Sequence, residues 1–188
     1  MSEPYLVFRE VVAGYSAPVV GPVSFAVGPG EVVALCGPNG SGKSTLLGAL
    51  TGASRVFSGR IDRRGGVTVS LQRQLPARPE GVPLSGRELL RLTGADRENP
   101  PEPLAPLLPL RIDRLSGGQF QFLEVWACLG SGADLVILDE PTNNMAPGTI
   151  RTLESLLEAR TPGRAVLLIS HERAFVEAVS DRVVELAP

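Results

Sequence analysis

Solid apolar runs alternate along this chain with glycine-rich turns and amphipathic stretches. Val32–Cys36, Leu135–Leu138 and Ala165–Ser170 are almost wholly apolar and of strand length. Such runs predict strands covered on both faces, because a strand with one wet face alternates apolar and polar residues instead. Leu6–Val12 alternates loosely, and Val23–Val27, Gly59–Asp62 and Val67–Leu71 are further short strand candidates. Leucines at helical spacing predict a helix over Ser44–Leu50, and similar patterns predict helices over Gly118–Leu129, Thr149–Arg160 and Glu172–Val179. Ser85-Gly86-Arg87-Glu88 has capping-box spacing and opens a short helix through Leu92.

The character of the chain changes in the middle. Eight prolines fall between Pro76 and Pro109, which predicts a small, partly irregular helical insertion over Gln72–Arg114. On either side, buried strands alternate with helices. That order predicts an α/β fold with a mostly parallel sheet covered on both faces. A length of 188 residues fits a single domain.

Composition excludes more than it selects. Hydrophobic residues are 43%, charged residues 20%, and the net charge is −2, so no basic excess argues for nucleic acid as a direct partner. The apolar runs are far shorter than the roughly 20 residues that span a bilayer. Met1–Glu10 lacks a basic stretch followed by an apolar segment, and a cytoplasmic location is expected. Cys36 and Cys128 sit in apolar segments without metal-ligand spacing and are expected to be buried thiols. Rarity singles out two other residues: the 18 basic side chains include one lysine, Lys43, and the chain has one histidine, His171.

Lys43 lies in Gly37-Pro38-Asn39-Gly40-Ser41-Gly42-Lys43-Ser44, which fits the phosphate-loop pattern between a buried strand and a helix. Glycines there let backbone N–H groups curl around a phosphate, and the helix N-terminus adds its positive end. A compact ammonium reaches the β- and γ-phosphates where the broad guanidinium of arginine fits poorly. Ser44 offers a hydroxyl to Mg²⁺, a cation that prefers oxygen ligands. Leu135–Leu138 runs into Asp139-Glu140, placing two acids at the carboxyl edge of a parallel sheet, where ligands bind. Asp139 is suited to hold Mg²⁺ through water, and Glu140 to polarise an attacking water as general base.

Leu115-Ser116-Gly117-Gly118-Gln119 matches the signature of ATP-binding cassette (ABC) proteins without a substitution. From Tyr15 to His171 the chain resembles an ABC nucleotide-binding domain in the order and spacing of its parts. The resemblance implies a P-loop NTPase core with an antiparallel β N-terminal subdomain, and a division into a core lobe (about 1–72 and 130–188) and a helical lobe (about 73–129). It implies ATP and Mg²⁺ as cofactors, and two cassettes facing head to tail, either copies of this chain or close paralogues. Nucleotide contacts are then expected from Gly37 to Thr45 on one subunit and from Ser116, Gly117, Gly118 and Gln119 on the other. Tyr15 matches the aromatic that stacks on adenine, and His171 the switch histidine at the γ-phosphate. Gln72 matches the glutamine that senses the γ-phosphate and Mg²⁺, with Gln74 as a rival. The implied metal set is Ser44, Gln72 and Asp139; the implied catalytic set is Glu140, His171 and Gln72.

Two departures from the family pattern stand out. Phe122 and Ala127 occupy places where the family has arginines, and Ala146 replaces the usual aspartate in Pro141–Ala146, the segment that resembles the loop crossing the dimer interface. Phe122 and Trp126 share a helix face, and either pack internally or form a partner surface. The resemblance implies the ATPase subunit of a transporter, peripheral on the cytoplasmic face of the membrane and docked on a separate permease through the proline-rich insertion. Val82-Pro83-Leu84-Ser85 and the helix after it resemble the zinc and manganese importers. Glu140–Asn144 and Ser170–Phe175 also resemble ribosome-associated ABC translation factors, and Ala146 with the missing arginines keeps a non-hydrolysing binding module in view.

Overall fold

The computed structural model describes residues 3–74 and 83–187. Pro76, Pro79 and Val82 of the proline-rich stretch lie outside them. Two sheets organise the rest. Strands β1 (Leu6–Gly14), β2 (Pro18–Val27) and β4 (Arg55–Arg63) form an antiparallel sheet in the order β2-β1-β4. Strands β3 (Val32–Cys36), β5 (Val69–Gln72), β6 (Leu135–Asp139), β7 (Ala165–Ser170) and β8 (Arg182–Glu185) form a second sheet in the order β5-β6-β7-β3-β8, parallel throughout.

Alternation along the buried strands assigns each residue to a face. Ala34, Val136, Leu138, Val166 and Leu168 join one apolar cluster. Val33, Leu35, Leu135, Ile137, Leu167 and Ile169 join another. The first face is covered by helices α3 (Gly117–Leu129), α4 (Pro147–Glu158) and α5 (Arg173–Val179), and the second by α1 (Lys43–Thr51) and the antiparallel sheet. This two-sided cover is why the three runs are apolar at nearly every position.

The insertion forms α2 (Gly86–Thr93) and 3₁₀ turns at Ala95–Arg97, Glu102–Leu107 and Ile112–Arg114. The capping box opens α2 as the spacing requires: Ser85 N–H donates to Glu88 Oε2 at 2.8 Å, and Glu88 N–H to Ser85 Oγ at 3.3 Å. Leu90, Ala95, Leu104, Leu108 and Ile112 bury themselves in the same cluster as α3 and the first sheet face. Phe122 and Trp126 are 1% and 6% exposed, so the aromatic stretch of α3 packs internally and is not a partner surface. Among the described residues, no helix is long and apolar enough to cross a membrane.

One helix starts without its usual cap. Ala146 is the N-cap of α4 and contributes no side-chain hydrogen bond, although Pro147 at the first helical position pre-sets the backbone. Ala146→Asp is expected to raise the unfolding free energy by about 1 kcal/mol, by giving an orphan N–H of the first turn an acceptor. Denaturant unfolding of the nucleotide-free protein checks this; an unchanged midpoint would count against the missing cap as a weak point.

Candidate active site

The parallel sheet brings the singled-out residues to one edge. Cys36 pairs with Ser170, Asp139 with Ile169, and Gln72 with Leu138, so β3, β7, β6 and β5 end at nearly the same level. The phosphate loop leaves β3 there, Asp139 and Glu140 end β6, and His171 follows β7.

Gly42 holds the N-cap of α1 with φ 92°, and a Cβ on it would lie 2.5 Å from Val20 Cβ. Both facts require glycine. Lys43 is buried and folds back over the loop, its Nζ donating to Gly37 O at 2.7 Å and Pro38 O at 3.0 Å. These carbonyls hold the ammonium in place beside a pocket of about 330 Å³ lined by Asn39, Gly40, Ser44, Thr45, Gln74 and Glu140 among others. Ser41 is buried with its hydroxyl unpartnered, and Ser44 is exposed to the pocket.

Glu140 is buried and its backbone sits at φ 49°, a conformation that non-glycine residues avoid. Four contacts fix it. Its N–H donates to Ile169 O at 2.8 Å, Gln121 Nε2 donates to its carbonyl at 3.4 Å, and Oε2 accepts from His171 Nδ1 at 2.8 Å and from the His171 backbone N–H at 3.3 Å. With the carboxylate ionised, a proton sits on Nδ1, and Nε2 stays clear of Glu140. His171 also borders a second pocket beside the loop, with Gly37, Pro38, Asn39 and Arg173.

Asp139 carries a different electrostatic load. Burial, then the neighbouring Glu140 charge, push its carboxyl up to about 6, against the backbone N–H of Gln74 and the Lys43 charge, which favour ionisation. Its Oδ1 is buried with no hydrogen-bond partner, as is Gln72 Oε1. Unpartnered buried oxygens on β5 and β6, with the Ser44 hydroxyl nearby, suit a hard cation that takes oxygen ligands. Among the described residues no group of three or more His, Cys, Asp or Glu could hold a metal. Mg²⁺ does not need such a group, because it takes one or two protein ligands and completes its shell with water and phosphate.

The structure separates the two glutamines. Gln72 is the last residue of β5 and buried, its Nε2 donating to Arg73 O, while Gln74, beyond the strand, lines the loop pocket. Tyr15 stands 60% exposed in the turn between β1 and β2, the hairpin whose Val19 reaches the same pocket.

The signature lies apart from this pocket, and none of Ser116 to Gln119 lines it. Ser116 caps α3: Gln119 N–H donates to Ser116 Oγ at 3.2 Å, and Ser116 N–H to Gln119 Oε1 at 2.8 Å. Gln119 therefore has a folding role in addition to any nucleotide contact. Gly118 admits no side chain, since a Cβ would lie 2.1 Å from Asn144 O in the loop before α4, whereas nothing stands within 4 Å of a Cβ on Gly117.

Comparison with known proteins agrees with this arrangement. The sequence profile of the family described as ABC transporter matches residues 20–89. The zinc import ATP-binding protein ZnuC of Roseobacter denitrificans is 37% identical over 174 residues, covering 88% of this chain and 68% of that protein. The protein of the same name from Cereibacter sphaeroides is 39% identical over 176 residues, covering 88% and 72%. The chain belongs to the ABC transporter family of ATP-binding subunits. A solved ATP-binding subunit of an ABC transporter superimposes with a TM-score of 0.83 over 97% of this chain and 85% of its own, at 27% identity. Like the other ATP-binding subunits of the family, this ABC protein is an ATPase.

Residues at the site of this ABC ATPase without an assignment from sequence include Val19, which lines the loop pocket, Arg173, which lines the second pocket, and Gln121, which donates to the Glu140 carbonyl. Gln121 had a visible signal as the lone amide between Phe120 and Phe122 on a buried helix. Val19 and Arg173 had none, because only tertiary packing brings them to the loop.

Proposed function

We propose that this chain is the ATP-hydrolysing subunit of a divalent-metal importer, working as a head-to-tail pair on the cytoplasmic face of a membrane and docked on a separate permease. The contact between Glu140 and His171 at 2.8 Å, beside the Lys43 pocket, carries the hydrolytic half of this reading. It favours turnover over a binding-only module. The zinc import proteins, aligned along 88% of the chain, carry the transport half and make zinc the first cargo to test.

In this proposal Lys43 and the N–H groups of Gly37 to Thr45 bind the β- and γ-phosphates, and Tyr15 stacks on adenine. Ser44, Asp139 and Gln72 or Gln74 hold Mg²⁺, with Asp139 bound through water. Bound Mg²⁺ neutralises phosphate-oxygen charge. Glu140 orients and deprotonates the attacking water, and His171, its Nδ1 committed to Glu140, presents Nε2 toward the γ-phosphate. Ser116, Gly117, Gly118 and Gln119 close the site from the second copy; their absence from this chain's own loop pocket supports that division. Residues 73–129 form the lobe that meets the permease, and the rest forms the nucleotide lobe.

Vesicles carrying this chain together with a zinc-importer permease test the transport half. ATP-dependent ⁶⁵Zn²⁺ uptake that disappears with Glu140→Gln is expected. Recovery of no integral membrane partner from solubilised membranes would overturn it.

A further inference from the structure

Helix α3 carries a polar exception inside its buried run. Phe120, Phe122, Leu123 and Val125 are each 2% exposed or less, and Gln121 among them is 4% exposed. A hydrophobic side chain would fill that place with less desolvation, since a buried amide left unpartnered costs more than one hydrogen bond returns. The Gln121 amide reaches a residue 19 positions further along the chain, its Nε2 donating to the Glu140 carbonyl at 3.4 Å. Asn143 N–H donates to the same carbonyl at 3.3 Å, so both lone pairs of that oxygen are engaged.

These two bonds meet on a residue whose backbone is strained. Glu140 is held at φ 49°, a conformation that persists only where its surroundings over-determine it. The loop that follows is strained as well, with Asn144 at φ 61°. Its far end has no side-chain cap, because Ala146 contributes none to α4. Helix α3 supports this loop at both ends: Gln121 bonds Glu140, and Gly118, where a Cβ has no room, lies against Asn144 O. Met145 is buried in the same apolar cluster as Phe120 and Leu123. Gln121 itself lines neither the loop pocket nor the second pocket, so any effect it has on the reaction passes through Glu140.

We infer that Gln121 is a positioning residue for hydrolysis, holding the Glu140 main chain so that its carboxylate stays aimed at the attacking water. The inference rests on the reading of Glu140 as general base. It gives α3 two duties in the proposed pair: its first residues close the partner's site, and Gln121, two residues past Gln119, steadies the base of its own. Displacing a base costs rate and leaves nucleotide affinity in place.

Gln121→Met keeps the length of the side chain and removes the donor. It is expected to lower single-turnover hydrolysis about fivefold, the rate equivalent of one neutral hydrogen bond, with affinity for a fluorescent ATP analogue changed by less than about twofold. Gln121→Asn, whose amide falls one methylene short, is expected to lose as much, and keeps the test open where the Met variant fails to fold. The deciding comparison repeats the substitution in Glu140→Gln protein. Residues that act as a unit are not additive, so the second loss is expected to stay under about twofold once the base is gone. A full fivefold loss in both backgrounds, or affinity falling in step with turnover, would overturn the inference and leave Gln121 a packing residue. Unchanged turnover in both Gln121 variants would overturn it as well. A Glu140→Gln protein that keeps more than about a tenth of the turnover would instead overturn the reading of the base itself.

Discussion

Glu140→Gln is expected to lower ATP turnover by about 10²–10⁴-fold, the range that follows loss of a positioned general base. Nucleotide affinity is expected to stay within about threefold, because the side chain keeps its volume and an oxygen able to accept from His171 Nδ1. The reason lies in the fixing of Glu140. Its strained backbone, the bond to Ile169 O and the His171 contact place one carboxylate beside the Lys43 pocket, and the amide restores all of that except basicity. Single-turnover hydrolysis with equilibrium binding of a fluorescent ATP analogue separates the two effects. Turnover above about a tenth of the unaltered protein's would remove Glu140 from the role of base.

Asp139→Asn is expected to act on stability and turnover in opposite directions. In the metal-free, nucleotide-free protein the Asp139 carboxyl is raised from 3.8 to about 6, first by burial and then by Glu140. A raised carboxyl means that the fold prefers the protonated form. The associated stability is fully present below the unfolded value of 3.8, is lost as pH rises toward 6, and stays lost above it. Two pKa units correspond to about 3 kcal/mol at most. Denaturant unfolding in EDTA should therefore find the Asn variant more stable than the unaltered protein at pH 7.5, by about 2 kcal/mol, with the gap closing near pH 4. The same variant is expected to lose Mg²⁺-dependent turnover, so a destabilised carboxylate is retained for function. An equal gap at both pH values would show that Asp139 is not the group titrating.

The parts of the fold that were legible in the sequence are those where one physical rule dominates. Val32–Cys36, Leu135–Asp139 and Ala165–Ser170 are covered on both faces and therefore read as unbroken apolar runs. β8 was hidden, because Arg182–Glu185 is an edge strand with three of its four residues exposed. The first half of β2 was hidden by Pro18, Gly21 and Pro22, which read as a turn although the strand runs from Pro18 to Val27. At the site, the loop around Lys43 was legible because its chemistry demands glycines, a lysine and a hydroxyl in order. Gln72 and Gln74 could not be separated, since a sequence does not say where a strand leaves its sheet; the strand ends at Gln72 and the pocket takes Gln74. The burial of Phe122 and Trp126 was equally illegible, because four-residue spacing fixes a shared face but not what covers it.

The proposed function requires the phosphate loop of one chain and the signature of another to make one site. Complementation measures it most directly. Lys43→Ala and Ser116→Arg are each expected to be inactive alone, the first lacking its phosphate contact and the second its signature. Mixed in equal amounts, they form pairs in which one of the two sites unites an intact loop with an intact signature. Steady-state turnover of the mixture should then recover to about a quarter of the unaltered protein's, as random pairing across a two-fold interface requires. A mixture as inactive as its components, or a Ser116→Arg protein that hydrolyses ATP at the full rate alone, would contradict a site shared between two chains.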